Sequence, residues 1–304
     1  VRSNRVLVVM GVHDEGRMAD FTINAISAAR ATLGLDCPRV VKMDAPVRMW
    51  GAYSSSGSAV GRVDGLERLC RVLYRHRGEY DAVALTSVIE VPSECHQDYF
   101  GSTGEIVNPW GGVEAMLTHA VSMIFDVPSA HAPMMESSEI LNLDLGVVDP
   151  RMSAEAVSTA FLHCVLKGLH RAPRIVSEPA AIVSPEILSA ADVSCLVIPD
   201  GCIGLPTLAA LEQGIPVIAV RENHNRMKND LEKLPFKPGK LFIVENYLEA
   251  VGIMMSLKAG VNPSAVRRPL AYTKVLCERV KSDNYQENIP PKPSKTATEF
   301  SDRP

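Results

Sequence analysis

Residues 193–223 read VSCLVIPDGCIGLPTLAALEQGIPVIAVREN. An apolar run over 193–199 passes through a turn holding Gly201 and Gly204 into a helix-length segment, Gly204–Gln213. A second apolar run, Ile215–Val220, follows directly. Two short apolar runs separated by one helix predict a strand–helix–strand unit with parallel strands. Because the runs are continuous rather than alternating, both faces of each strand are expected to be covered.

The same grammar extends in both directions. Toward the N-terminus, Arg5–Val12 (RVLVVMGV), Arg39–Met43 and Asp81–Val91 read as strands, and Met18–Leu33, 63–76, 112–125 and 153–169 as helices. Toward the C-terminus, Leu241–Val244 reads as a strand and Tyr247–Ala259 as a helix closed by Gly260. Strands alternating with helices of this size predict an α/β protein. The expected architecture is two Rossmann-like lobes with parallel sheets flanked by helices: a first lobe over 1–150 and a second over 151–282. Residues 283–304, rich in Pro and polar groups, are expected to form a disordered or surface-wrapping tail. Residues 51–61 (GAYSSSGSAVG) read as a mobile surface loop, and 92–110 as a long irregular loop of the kind that often carries function.

Composition narrows the classes. The chain has 304 residues, 46% of them hydrophobic and 22% charged, which suits a folded globular protein. A net charge of −4 argues against nucleic acid as the partner, since phosphate attraction needs a basic surface. Seven scattered Cys without a CxxC pair predict reduced thiols and no zinc site. No apolar run reaches membrane-spanning length. The chain begins with Val1 and its first strand starts by about residue 5, as expected of a processed product or a piece of a longer polypeptide.

Parallel sheets bind ligands at the carboxyl ends of their strands, which directs attention to particular loops. In Pro199–Gly204, Gly201 and Gly204 would let backbone N–H groups approach a phosphate or carboxylate at a helix start. Cys202 in this turn is a candidate catalytic thiol, its pKa expected to be lowered by the helix field. Glu222 and Asn223 follow the next strand and could grip a sugar or ribose diol. In the first lobe, Trp110, Gly111, Gly112 and Glu114 open a helix, and Asp44 ends the second strand; all five are candidate ligand-binding residues. His131, expected at a strand end, is a candidate catalytic base, with a hydrogen-bonded structural histidine as the alternative. No GxSxG stands in favour of a serine nucleophile, no HExxH in favour of a metal, and no GxGxxG or Walker loop in favour of a cofactor. No cofactor or metal is therefore expected. Residues 109–133 and 199–220 echo each other: each runs from Pro through a Gly-containing turn and a helix into a Val-Pro or Ile-Pro strand entry. Either any such unit looks alike, or two equivalent lobes face one another across a cleft.

The segments ARATLGLD (29–36), DAP (44–46), GGVEAMLTH (111–119), SAHAP (129–133), IAVREN (218–223) and VENYLEAVGIMMSLKAG (244–260) resemble a family of unknown function, number 3326, found in cyanobacteria and plastids. The resemblance covers most of 5–270. Some members of that family carry the designation lipid-A-disaccharide synthase, a glycosyltransferase. Segment 201–223 is also similar to the part of nucleotide-sugar enzymes that holds the diphosphate and ribose. That likeness implies Gly201, Cys202 and Gly204 at the phosphates and Glu222 near the ribose, although the usual second Gly is Cys here and the helix lacks its acidic pair. The same segment resembles the second half of aspartate/glutamate-type racemases, whose second Cys has no counterpart at Gly111-Gly112. The expected function is thus a glycosyltransferase-like enzyme binding a small anionic or nucleotide-sugar ligand. A thiol-dependent isomerase, racemase or lyase of a small carboxylate, and a non-catalytic binding or assembly factor, stay open. A plastid stroma or cytoplasm is the expected compartment, and a homo-oligomer is left open. Deleting 283–304 should move the thermal melting midpoint by only a few degrees, because this composition buries too little apolar area to offset chain ordering; a large drop would show that the tail packs on the body.

Overall fold

The structure, a computed structural model, describes residues 3–102, 106–178 and 184–277; the expected tail 283–304 lies outside them. Two compact units divide the chain, 1–261 and 262–304. The described part of the second unit holds one short helix, α10 (Pro263–Val266), capped by the Asn262 side chain.

The first unit contains two parallel sheets, as the strand–helix grammar predicts. The larger is built from β1 (Val6–Met10), β2 (Val40–Lys42), β5 (Ala82–Val88) and β6 (Ser129–Met134), in the order β2-β1-β5-β6. Period-2 alternation sends the side chains of β1 and β5 to opposite faces. Leu7, Val9, Val83 and Leu85 pack against α2 (Leu66–Arg75) and α4 (Gly111–Phe125) through Leu69, Leu73, Val113, Leu117 and Val121. Val6, Val8, Ala82 and Ala84 face α1 (Gly16–Leu33) and α7 (Ser158–His170) through Ile26, Ala29, Leu162 and Leu166. The short helices α5 (Ser138–Leu141) and α6 (Ser153–Ala156) precede α7, which, read from sequence with the second lobe, thus packs on the first sheet. Asn4 fastens its end by donating from Nδ2 to the carbonyls of Leu169 and Ala172. Asp81, just before β5, accepts from Arg5 at 2.9 and 3.0 Å and from Arg174, and the Arg5 hydrogen bond holds its carboxyl well below the usual range. The smaller sheet carries β7 (Leu196–Pro199), β8 (Val217–Val220) and β9 (Leu241–Val244) in chain order, with α8 (Leu205–Gln213) and α9 (Tyr247–Lys258).

Three sequence expectations need correction. Residues 51–61 are no loose loop: β3 (Arg48–Tyr53) and β4 (Ala59–Asp64) form an antiparallel hairpin. Its glycines serve close approach instead of mobility. A Cβ on Gly51 would lie 2.6 Å from the Pro109 carbonyl oxygen, and one on Gly61 2.5 Å from Val113 Cβ. The 92–110 segment contains a helix, α3 (Ser93–Phe100), which buries Cys95, His96, Tyr99 and Phe100. His131 stands inside β6, opposite Leu85 of β5, and not at the strand end.

Helix α4 meets the hairpin at Gly112, where a Cβ would lie 2.3 Å from the Ala59 carbonyl oxygen. Replacing Gly112 with Ala should therefore cost about 3 kcal/mol, since backbone must move to admit the methyl group. Gly168 of α7 has open space around its Cβ position, so Gly168→Ala should instead stabilise by about 0.5–1 kcal/mol. Urea unfolding of the two variants checks this contrast; equal midpoints would contradict it.

Candidate functional site

The order β2-β1-β5-β6 changes direction between β1 and β5, and open parallel sheets place their ligand crevice at the carboxyl end of such a pair. A polar crevice of about 440 Å³ lies there, walled by His13 and Asp14 after β1, Pro46–Met49 after β2, Glu90 after β5 and Glu136 after β6. His13 is fixed in one tautomer. Its Nδ1 accepts the Glu15 N–H at 2.9 Å, so Nε2 carries the proton and donates to the Met135 carbonyl at 2.8 Å. Glu15 in turn accepts from the Ser138 hydroxyl and N–H, and the hydroxyl bond draws its carboxyl below the usual range. The loop after β1 is thereby tied to the segment after β6.

Glu136 also borders a second cavity, whose walls include His96, Asn108, Trp110, Glu114 and Glu155. Trp110 is buried and presents an edge to His96 at 5.0 Å between ring centroids and to Tyr99 at 5.6 Å. Asn108 organises the entry of α4: its Oδ1 accepts from Trp110 N at 2.9 Å and Gly111 N at 3.0 Å. Its Nδ2 donates to Glu155 at 2.9 Å, and the Tyr99 hydroxyl donates to the same carboxyl at 2.8 Å. Burial nevertheless pushes the Glu155 carboxyl above its ordinary range. Glu136 faces His96 Nε2 at 3.2 Å. Burial thus favours the neutral form of Glu155, the protonation state a general acid needs.

Above these cavities, on the α4 side of the sheet, His131 joins two further groups. Its Nδ1 lies 3.0 Å from Glu114 Oε1 and its Nε2 lies 2.9 Å from Ser87 Oγ. Glu114 and His131 are thus brought together, as candidates chosen separately from sequence. Trp110, Gly111 and Gly112 stand close by on the same helix entry. There the N–H groups of Trp110 and Gly111 are taken by Asn108, and Gly112 is covered by β4. Asp44 is exposed, two residues before Pro46 of the crevice wall.

The other candidates gather in the second lobe. Gly201 adopts φ +82°, and the Asn229 side chain donates to its carbonyl at 3.2 Å. Gly204 is the N-cap residue of α8, with only Pro206 Cδ near its Cβ position, at 3.8 Å. This open entry contrasts with the covered entry of α4, so the sequence echo breaks at the helix starts. Cys202 is half-buried, and burial followed by Asp200 pushes its thiol up, opposite to the expected lowering by the helix. Glu222 accepts the Tyr247 N–H at 2.8 Å, at the start of α9, and Asn223 reaches the Tyr247 hydroxyl at 2.7 Å. The loop after β8 then meets the first lobe: Arg226 pairs with Asp98 of α3 at 3.6 Å and lies over the Tyr53 ring at 5.1 Å. The hairpin tip completes the junction where Lys228 N donates to the Ser56 carbonyl at 3.1 Å.

Sequence reasoning passed over Ser87, Glu136 and Glu155, and weighed His96 only as a neighbour that could activate Cys95. Thr86-Ser87 interrupts an apolar strand at its carboxyl end, a legible signal; the other three become partners only through tertiary packing. Among the described residues no His/Cys/Asp/Glu cluster suits a metal ion, and no helix is long and apolar enough to cross a membrane.

Because its folded-state pKa is raised, Glu155 gives its full contribution to stability below the unfolded value of about 4.3 and loses it as pH rises through the folded value. Glu155→Gln removes that loss and keeps an acceptor oxygen. Its melting temperature relative to the parent should therefore climb as pH rises above the unfolded carboxyl value of about 4.3; a constant difference in thermal melts would contradict the burial argument.

The sequence matches the family described as "Protein of unknown function (DUF3326)" over residues 1–267. It is also 33% identical over 274 residues to an uncharacterized lipoprotein of a Synechococcus species, covering 88% of this chain and 72% of that protein. With the motifs of both lobes inside the matched range, the chain belongs to the DUF3326 family.

Proposed function

We propose that the chain is a glycosyltransferase-like enzyme that binds a nucleotide sugar between its two lobes. The observation that carries this reading is the junction at Arg226: the loop leaving the carboxyl end of β8 touches α3 and the hairpin beside the first lobe's cavities. Two Rossmann-like lobes meeting near their ligand-binding edges form a cleft in which a donor and an acceptor can be held together. The turn at Gly201–Gly204, with its open helix entry, suits the anionic diphosphate. The carboxyls beside Trp110 suit hydroxyl-rich sugar and offer a base for an acceptor hydroxyl, Glu136 or Glu114, and an acid, Glu155. The resemblance of 201–223 to nucleotide-sugar enzymes points the same way, and with it a plastid stroma or a cyanobacterial cytoplasm as the place of work. The alternative of a thiol acid/base has burial and Asp200 working against the Cys202 thiolate.

Gly204→Asp is the informative variant. Asp is a favourable N-cap residue, and the site has room for it, so α8 should survive while the new carboxylate repels a diphosphate. A panel of nucleoside diphosphate sugars should raise the melting temperature of the parent and of Cys202→Ser, and leave Gly204→Asp unmoved. No stabilisation of the parent by any of them, or equal stabilisation of Gly204→Asp, would overturn the proposal.

A further inference from the structure

On the face of the larger sheet toward α1 and α7, β5 packs the small apolar residues Ala82 and Ala84. Period-2 alternation sends Thr86 to that same face. Thr86 is 2% exposed, and its hydroxyl makes no hydrogen bond among the described residues. Two hydroxyls beside it are committed: Thr22 donates to the Met18 carbonyl and Ser158 to the Pro133 carbonyl, both at 3.0 Å. A buried hydroxyl without a partner costs free energy that valine, of nearly the same shape, would not.

Thr86 lines a cavity of about 220 Å³. Its walls are apolar: Met18 and Phe21 of α1, Met134 and Met135 at the end of β6, Leu141 of α5 and Leu162 of α7. No charged side chain lines it. Phe21 and Val157, which border it, are 41% and 53% exposed, so the cavity opens to solvent. The first turn of α7 enters the same wall through Val157, Ser158 and Thr159. Val157 holds the N-cap position and brings no side-chain acceptor, while its carbonyl accepts from the N–H groups of Ala160 and Phe161. A helix start without a capping side chain favours an anion. An unpaired buried hydroxyl and an uncapped helix start thus border one apolar chamber.

We infer that this chamber binds a carboxylate carried on an apolar chain, its head held by the Thr86 hydroxyl and the first turn of α7 and its chain lying among Met18, Met134, Met135 and Leu162. An apolar cavity of about 150 Å³ takes up benzene, so this larger one has room for a chain of about six to ten carbons. The three methionines suit such an occupant, because unbranched thioethers repack around chains of differing shape. The chamber meets the Trp110 cavity only at Met134 and Met135 and includes no residue of the Gly201–Gly204 turn. Binding here is therefore independent of the glycosyl-transfer reading.

The test is titration of the full chain with sodium octanoate, read from the methionine methyl resonances. Those of Met18, Met134 and Met135 should shift together and saturate, while those of Met116 and Met123, exposed on α4, stay still. Butyrate should bind about 100-fold more weakly or worse, since each buried methylene is worth about fourfold. Dodecanoate should gain little over decanoate, whose chain already fills the chamber. 1-Octanol, lacking the charge, should bind about 10-fold more weakly than octanoate. Thr86→Val keeps the shape of the wall and should weaken octanoate about 10-fold or more. The same variant should bind toluene as tightly as the parent does, whereas a merely structural Thr86 would move both ligands alike. Leu141→Trp, at a partly buried position of a short surface helix, fills the chamber and should abolish binding of both. Thermal melts check that each variant is folded. Octanoate that leaves the three methyls unmoved, shifts Met116 and Met123 equally, or binds no better than 1-octanol would overturn the proposal. So would octanoate binding to Thr86→Val at the parent's affinity. Nucleotide-sugar binding is not read by this experiment, so either proposal can fail alone.

Discussion

The close approach of α4 to the β3–β4 hairpin sets the position of nearly every group at the carboxyl edge of the larger sheet. Three glycines make it: Gly51 against Pro109, Gly61 against Val113 and Gly112 against Ala59. With side chains at those positions, the hairpin would stand off by the thickness of a methyl group and α4 would rise from the sheet. Glu114 could then no longer reach His131, nor Trp110 close the cavity shared with Glu136 and Glu155. Interiors are dense enough that such a shift cannot be absorbed locally. The glycines specify the chemistry of this edge without touching it.

The polar groups set into this frame are almost all paired, as burial demands. Each histidine there has its ring nitrogen committed to a named acceptor or donor: His13 to Met135, His96 to Glu136, His131 to Glu114 and Ser87. Glu155 stands apart because two hydrogen bonds do not outweigh its loss of water. Glu114, Glu136 and Glu155 line the first lobe's cavity beside Trp110, while the second lobe offers an open helix entry behind Gly201 and Gly204. That division of labour suits a ligand with a neutral, hydroxyl-rich end and an anionic end.

The fold was legible in sequence where burial on both faces makes a strand continuously apolar, as in Val6–Met10 and Val217–Val220. It was also legible where Gly34, Gly214 and Gly260 close helical patterns. The hairpin was misread because Gly and Ser signal turns and loops in isolation; here they mark contact with α4, a long-range relation that no local window contains. Helix α3 was missed for a similar reason. SECHQDYF has no strong period, and its helix is held by burying Tyr99, Phe100 and His96 against Trp110. Of the candidate site, Glu114, His131 and Trp110 were found from their place at expected loop ends. Ser87 was passed over because its hydroxyl gains the His131 ring as a partner only when β6 pairs beside β5. Cys202 was credited with a thiolate favoured by the helix start, whereas burial and Asp200 push its thiol up.

The hairpin also has a mechanical aspect. Its strands are wedged against α4 and its entry at Gly51, Gly61 and Ala59, while its tip lies beneath residues 226–228 of the other lobe, where a Cβ on Gly57 would collide with the Arg226 carbonyl oxygen. Six paired residues on each strand make the hairpin stiff. One rigid element thus touches both the loop of the smaller sheet and the helix that carries Glu114, a route between the lobes that crosses neither parallel sheet.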